Sequence, residues 1–211
     1  MDKGLVSLGF GGISVPLGSH IASFYRNREE QRAVTLPFIK AGLEQGAGCV
    51  YVVDEETEDG LAEALQAADV DVGIAKGSGQ IVIYASTEAY LSQGYFSPEK
   101  MFDFWKAYIR TAREKGFREF MITGEMTWAL RKVPGVERLM EYEAKIDKMF
   151  SNYPQVIICQ YNITRFSGDT IIDVLKTHSA CILGGVLIKN HFYAPPDEFL
   201  KTLAERSDKP S

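Results

Sequence analysis

The chain has 211 residues, 45% hydrophobic and 24% charged, with a formal net charge of −5 at pH 7. That is enough polypeptide for one sizeable core, and the composition is ordinary for a soluble globular protein. Scattered basic residues speak against a nucleic-acid surface, and no apolar run approaches the roughly 18 residues that span a bilayer. The start, Met1-Asp2-Lys3-Gly4, lacks the layout of a signal peptide, so a cytoplasmic protein is expected. Cys49, Cys159 and Cys181 are an odd set at wide spacing inside apolar runs. They read as buried thiols rather than as a disulfide framework. No linker divides the chain, so a single domain over residues 1–203 with a frayed tail at 204–211 is expected.

A glycine-rich start contains a short strand near Leu5–Leu8, and His20–Tyr25 reads as a second strand. Asn27 suits a helix N-cap, with Glu29 and Glu30 in the first turn and Val34, Phe38 and Ala41 at helical spacing. Pro37 should kink or restart that helix. Cys49–Val53 is a continuous apolar run, the mark of a strand buried on both faces. Asp54 is expected to cap a helix near 57–68, and Gln80–Tyr84 is the next strand. Residues 85–97 read as a loop or short helix. Ser97-Pro98 is an N-cap followed by proline at the first helical position. The helix it opens should turn Met101, Trp105, Tyr108 and Ala112 inward.

Phe120–Thr123 is a buried strand that runs into Gly124 and Glu125. A helix near 136–151, a strand at 155–161, a helix at Asp169–Lys176 and a hairpin around Gly184-Gly185 complete the pattern. Alternating strands and helices predict an α/β fold: a three-layer sandwich with a mostly parallel central sheet. The last two strands are too close for a helical crossover, which predicts an antiparallel C-terminal edge hairpin.

The chemistry-bearing candidates follow from that frame. Glu125 sits at the carboxyl end of a strand, where ligands bind in open α/β sheets. The alternative is a solvated loop residue. Glu143 shares a helical stripe with Leu139, Ile146 and Phe150, so it lies either at the stripe's edge or buried with a partner such as His20, Tyr142, Arg118 or Arg165. Phe24, Tyr25, Trp128, Tyr161, Phe166 and Tyr193 could wall one crevice. A phosphate loop is absent: five residues separate Gly12 from Gly18, and Ser19-His20 stands where Lys-Ser/Thr is needed. No NTPase activity is therefore expected, nor any catalytic residue. The possible metal ligands His20, His178, His191, Cys159, Glu125 and Glu143 have no local ligand spacing. Any metal site would have to be assembled in three dimensions, and none is expected.

Several motifs occur in order: Gly18-Ser19-His20-Ile21-Ala22-Ser23-Phe24-Tyr25, Pro37-Phe38, Thr123-Gly124-Glu125-Met126-Thr127-Trp128-Ala129, Tyr142-Glu143-Ala144, Cys159-Gln160-Tyr161, Leu175-Lys176-Thr177-His178 and Asn190-His191-Phe192-Tyr193. Together they resemble the MEDS family, the methanogen/methylotroph DcmR sensory domain, over roughly residues 15–195. The resemblance implies a RecA/KaiC-like fold that has lost its phosphate loop. It implies a non-enzymatic prokaryotic sensor of simple hydrocarbon or one-carbon derivatives, without a cofactor. It implies a signalling partner such as a histidine kinase or transcription regulator; charge and hydropathy, not the resemblance, argue against direct nucleic-acid or membrane contact. Carried over by position, the ligand-binding candidates are His20, Tyr25, Glu125, Trp128, Glu143, Cys159, Tyr161 and His178. Ser179 departs from the proline frequent in the family. No output domain is visible in this sequence, so signalling through a partner is expected. Two other main readings stay open, with residual nucleotide binding without hydrolysis as a weaker option. One is an interaction protein that docks a regulator through Tyr90, Tyr95 and Phe96. The other is a metal-dependent enzyme using Glu125, His20 or Cys159.

Overall fold

The computed structural model describes residues 4–150 and 153–207. A small antiparallel ribbon, β1 (Leu5–Ser7) and β2 (Ser14–Pro16), precedes the main sheet. The sheet holds seven strands: β3 (Ser19–Tyr25), β4 (Gly48–Val53), β5 (Ile81–Ala85), β6 (Phe120–Glu125), β7 (Gln155–Asn162), β8 (Ala180–Leu183) and β9 (Val186–Lys189). Their order is β5-β4-β6-β7-β3-β8-β9. Every neighbouring pair is parallel except β8–β9, the expected antiparallel edge.

One face is covered by α1 (Arg28–Glu44), α2 (Glu58–Ala67) and α3 (Val72–Gly77), which pack on β3, β4, β5 and β6. The other carries α4 (Pro98–Glu114), α5 (Leu139–Phe150), α6 (Gly168–Thr177) and α7 (Pro196–Ser207). The result is three layers with two apolar cores. One core centres on Phe38, Tyr51, Met121 and Ile158, and the other on Trp105, Phe120, Trp128, Tyr142 and Tyr161. The central strands β4, β6 and β7 are buried along their whole length, as continuous apolar runs require when both faces are covered.

Local rules explain most boundaries. Asn27 Oδ1 accepts from Glu30 N–H at 3.0 Å at the start of α1, and Ser97 with Pro98 opens α4. Met101, Trp105, Tyr108 and Ala112 are the buried face of α4, as their spacing predicts. Other expectations give way to context. α1 runs through Pro37 as one helix, because Val34, Phe38, Ile39 and Ala41 on either side are buried against the sheet and hold the helix across the missing hydrogen bond. Thr57, not Asp54, caps α2: its Oγ1 accepts from Gly60 N–H at 3.0 Å. α3 has no periodic stripe long enough to announce it. α7 extends past residue 203, and Arg206 donates to both carboxylate oxygens of Asp173 at 2.9 and 2.7 Å. The tail expected at 204–211 is thus helical as far as Ser207, and 208–211 lie outside the described residues.

Tyr90 and Phe96 are 6% and 2% exposed, which corrects the expectation of an exposed aromatic cluster. Of the three, Tyr95 alone reaches solvent. The connection between β5 and α4 tucks both rings onto Trp128, with centroids 4.6 and 4.7 Å away.

Candidate functional site

Successive residues of a strand point to opposite faces, so the sheet sorts the candidates into two groups. On β7, Cys159 and Tyr161 face α5, while Gln160 between them faces α1. His20 on β3 stands in register with Ile157 of β7, and its ring reaches α5.

The first group is built on the α5 face. Glu143 projects from the middle of α5 and is fully buried. Its Oε2 lies 3.1 Å from His20 Nε2, 3.6 Å from Cys159 Sγ and 3.6 Å from His178 Nε2. Its Oε1 accepts from Tyr161 Oη at 2.5 Å. Cys159 Sγ is 3.4 Å from His20 Nε2. The two imidazole rings lie side by side, with centroids 3.9 Å apart. His20 Nδ1 bonds Asp147 Oδ1 at 3.1 Å, one helical turn beyond Glu143. His178, at the end of α6, donates from Nδ1 to the Val174 carbonyl at 2.8 Å. That bond leaves Nε2 as a lone-pair nitrogen, and Nε2 is buried without a hydrogen-bond partner.

The electrostatics follow from burial and these neighbours. Burial opposes a charge on His20, but Cys159, Asp147 and Glu143 outweigh it and raise its pKa well above the usual value. Burial also opposes ionisation of Glu143, yet His20, His178 and Tyr161 hold its pKa below the ordinary carboxylate value. His178 is pushed down to about 4 by burial and by the neighbouring His20. Burial and Glu143 push the Cys159 thiol up to about 12. Burial thus favours the thiol of Cys159 over the exposed thiolate that a nucleophile needs. Of the partners considered for Glu143, His20 is the one that meets it. Arg165 pairs with Glu55 instead.

A cavity of about 400 Å³ reaches the His20 edge of this group. Gly18, Asp147, Lys148, Ser179, Tyr193 and Asp197 line it with His20.

The second group lies on the α1 face, at the carboxyl ends of the strands. Glu125 is fully buried, so it is not a solvated loop residue. Its Oε2 accepts from the backbone N–H of Glu55 at 2.7 Å and of Glu56 at 3.2 Å, and Arg28 Nη1 approaches Oε1 at 3.4 Å. Burial pushes the carboxyl above its ordinary value, opposed by those amides and Arg28. Glu125 thereby ties the loop after β4 to the end of β6. Tyr25 lies on this same face, where burial and then Glu125 raise its phenol. Beside them, Gln160 accepts from Gln31 Nε2 at 2.6 Å and Tyr51 Oη at 3.1 Å, and donates to Thr123 Oγ1 at 2.8 Å. Asp54 accepts from Ser86, Thr127 and Arg131 at 2.5, 2.7 and 2.5 Å.

The structure thus gathers His20, Glu143, Cys159, Tyr161 and His178 and separates them from Glu125 and Tyr25 by the thickness of the sheet. Trp128 belongs to neither polar group: it stacks on Tyr90 at 16° on the α5 side. The six aromatics do not share one crevice. Phe24, Tyr161 and Phe166 adjoin, with centroids 6.4 and 5.2 Å apart. Tyr193 lines the cavity, and Tyr25 is on the other face. Sequence reasoning missed Asp147, although it stands four residues after Glu143 on the same helical face. It also passed over Gln160, whose polarity inside an apolar strand was the available signal.

Comparison with known proteins gives the family and supports the fold. The profile of the MEDS family (MEthanogen/methylotroph, DcmR Sensory domain) matches residues 19–179. The transcriptional repressor DcmR of Methylorubrum extorquens strain DM4 is 23% identical over 168 residues, 79% of this chain. The chain spans only 60% of that relative's length. Among solved structures, a KaiC-like protein from Pyrococcus horikoshii OT3 superposes with a TM-score of 0.60 at 15% identity, over 85% of this chain and 79% of that one. The flagellar accessory protein FlaH from Methanocaldococcus jannaschii gives 0.58 at 15% identity, over 88% and 84%. These likenesses support the RecA/KaiC-like fold. With its motifs in order, and a profile match running from the first residue of β3 to the residue before β8, the chain belongs to the MEDS family of sensory domains.

Proposed function

We propose that this chain is a non-catalytic, cytoplasmic sensory module. It recognises a small, weakly polar molecule, a simple hydrocarbon or one-carbon derivative, and acts through a partner such as a histidine kinase or transcription regulator. The observation that carries this reading is the buried His20–Glu143–Cys159–His178 group beside a cavity of about 400 Å³. That volume suits a small organic molecule, and the Tyr193 ring with a few convergent polar groups, His20 and Ser179 among them, suits orientation rather than turnover. The relative DcmR, a transcriptional repressor, supports a regulatory output. On the edge strand β9, Val186 and Ile188 stand exposed beside Leu183 of β8, an apolar strip of the kind a protein partner covers.

Nucleotide turnover is disfavoured on local grounds. Two residues, Arg26 and Asn27, join β3 to α1, whereas a phosphate loop needs a longer glycine-rich turn ending in lysine. The test is a thermal-shift and calorimetry screen of methylated, halogenated and hydroxylated one-carbon and two-carbon compounds. A saturable shift that is lost in Tyr193→Ala, at the cavity wall, is expected. A folded protein that responds to no member of the panel overturns the reading.

A further inference from the structure

We infer that His20 Nε2, His178 Nε2, Cys159 Sγ and Glu143 Oε2 form a tetrahedral site for one divalent transition-metal ion, zinc foremost. The inference does not depend on which molecule the domain senses.

Four arguments converge on it. The first is geometric. The four atoms all lie within 4.8 Å of one another, and the four contacts resolved among them measure 3.1, 3.4, 3.6 and 3.6 Å. Zinc bonds of about 2.0–2.3 Å place tetrahedral ligand atoms about 3.3–3.8 Å apart. Only small side-chain adjustments separate this arrangement from a closed coordination sphere.

The second is the orphaned nitrogen. His178 Nε2 is buried, has no hydrogen-bond partner, and points at a carboxylate oxygen that also carries only lone pairs. Two acceptors facing each other in a dry interior are unfavourable unless a cation lies between them.

The third is orientation from behind. The remote nitrogen of each histidine is held by an oxygen: Asp147 Oδ1 for His20 and the Val174 carbonyl for His178. The far oxygen of Glu143 is held by Tyr161 Oη. Ligating imidazoles and carboxylates are fixed in just this way, by a carboxylate, a carbonyl or a hydroxyl on the side away from the metal.

The fourth is charge. A thiolate and a carboxylate together carry −2, which neutralises a divalent cation. The filled site leaves no net charge in the core, apart from the outer Asp147. One soft sulfur with two imidazoles and one oxygen suits zinc and disfavours magnesium or calcium, which take oxygen ligands. All four residues are nearly or fully buried, so the site is closed and serves order or regulation rather than open-position hydrolysis. The elements it would join are β3, β7, α5 and the end of α6, which are distant in sequence.

The experiment uses the full chain, free of any affinity tag and purified without chelators. Elemental analysis is expected to find one zinc ion per chain. Cobalt exchanged into the site should give visible bands of tetrahedral intensity and a near-ultraviolet thiolate-to-metal band. Cys159→Ser should abolish the near-ultraviolet band. Asp147→Asn, which removes only the outer hold on His20, should weaken zinc binding about 10–100-fold while leaving the circular dichroism unchanged. Wild-type protein that is folded, holds no metal and takes up neither zinc nor cobalt on titration overturns the inference, whatever the variants do. A cobalt spectrum unaltered by Cys159→Ser overturns it as well, because the metal then sits elsewhere.

Discussion

Glu125 is the residue whose role the structure reassigns most, and its removal gives a quantitative test. Replacing it with alanine deletes the acceptor of two backbone donors, Glu55 and Glu56 N–H, and the carboxylate that Arg28 approaches. Hydrogen bonds to a charged acceptor contribute about 1.5–3 kcal/mol each, and the freed amides lie in a loop that can relax toward water. We therefore expect Glu125→Ala to destabilise the fold by about 2–4 kcal/mol. At about 2–4 °C per kcal/mol for a chain of this size, Tm should fall by about 5–15 °C. Glu125→Gln keeps an oxygen for the two amides but turns an amide nitrogen toward Arg28. Its cost should be smaller, about 1–2 kcal/mol. Urea denaturation followed by circular dichroism measures both, with the slope checked for constancy. In the same variants, a ligand that binds on the α5 face should retain its affinity in the folded fraction. If Glu125→Ala leaves Tm within a degree of wild type yet abolishes ligand binding, the loop-anchor reasoning is wrong and Glu125 touches the ligand.

Three further predictions use other parts of the structure. A Cβ at Gly124 would stand 2.7 Å from Tyr90 Oη, so Gly124→Ala should displace the Tyr90–Trp128 stack at a cost of about 1–3 kcal/mol; a change in near-ultraviolet circular dichroism or tryptophan fluorescence reports it. Gln160→Leu removes the acceptor of Gln31 Nε2 and Tyr51 Oη in the interior, while Thr123 keeps its bond to the Ile158 carbonyl, and should cost about 2–5 kcal/mol, far more than its loss of volume explains, as read by chemical denaturation. On the surface, Arg138 and then Ser97 lower the Glu99 carboxyl from its ordinary 4.5 to about 2. A depressed carboxyl stabilises above its unfolded pKa and loses that contribution as pH falls through the folded one. The Tm gap between wild type and Glu99→Gln should therefore be constant above about pH 5, close between pH 4.5 and 2, and be small throughout, because both side chains are largely exposed.

The sheet was legible because its signals are local and redundant. Cys49–Val53 and Gln155–Tyr161 are apolar runs with no other stable use, and Ser97-Pro98 marks a helix start by itself. Elements read less well where tertiary contact overrode local chemistry. Pro37 is tolerated because the turns around it are pinned to the sheet, and Asp54 is diverted from capping by three side chains distant in sequence. Tyr90 and Phe96 looked available for a partner because nothing in their neighbourhood is periodic. They are buried because Trp128, more than thirty residues away, supplies the surface they cover. The candidate cluster was named by the motifs as a list but not as a geometry. The motifs name His20, Glu143, Cys159, Tyr161 and His178, yet only the register of β3 against β7 and the packing of α5 show that these five meet. The same register shows that Glu125 and Tyr25 do not join them. Strand parity would have separated Glu125 from Cys159 had their pairing been known: Glu125 opposes Gln160, not its neighbour.

The two faces of the sheet carry different polar arrangements. In a RecA-like sheet the place for a triphosphate is the junction of β3 and α1, where the N–H groups of the first helical turn point at the ligand. Here that junction is occupied by the chain itself. Asn27 takes the Glu30 N–H, and the Glu30 carboxylate takes the Arg26 N–H and guanidinium. Glu29 and Glu30 stand in the first turn, and Glu55, Glu56 and Glu125 close the same strand ends, where Arg26, Arg28, Arg32 and Arg165 are paired with carboxylates of this set. Most polar groups of this α1-face seam thus satisfy one another, although Tyr25 Oη stays buried without a hydrogen-bond partner. On the other side of β3 and β7, one imidazole nitrogen remains buried and unsatisfied within reach of a thiol, a second imidazole and a carboxylate. A buried polar group left in that state calls for an explanation, and a bound ion is one. The His178 nitrogen is singled out because it lies among three further potential metal ligands on the α5 side of the sheet.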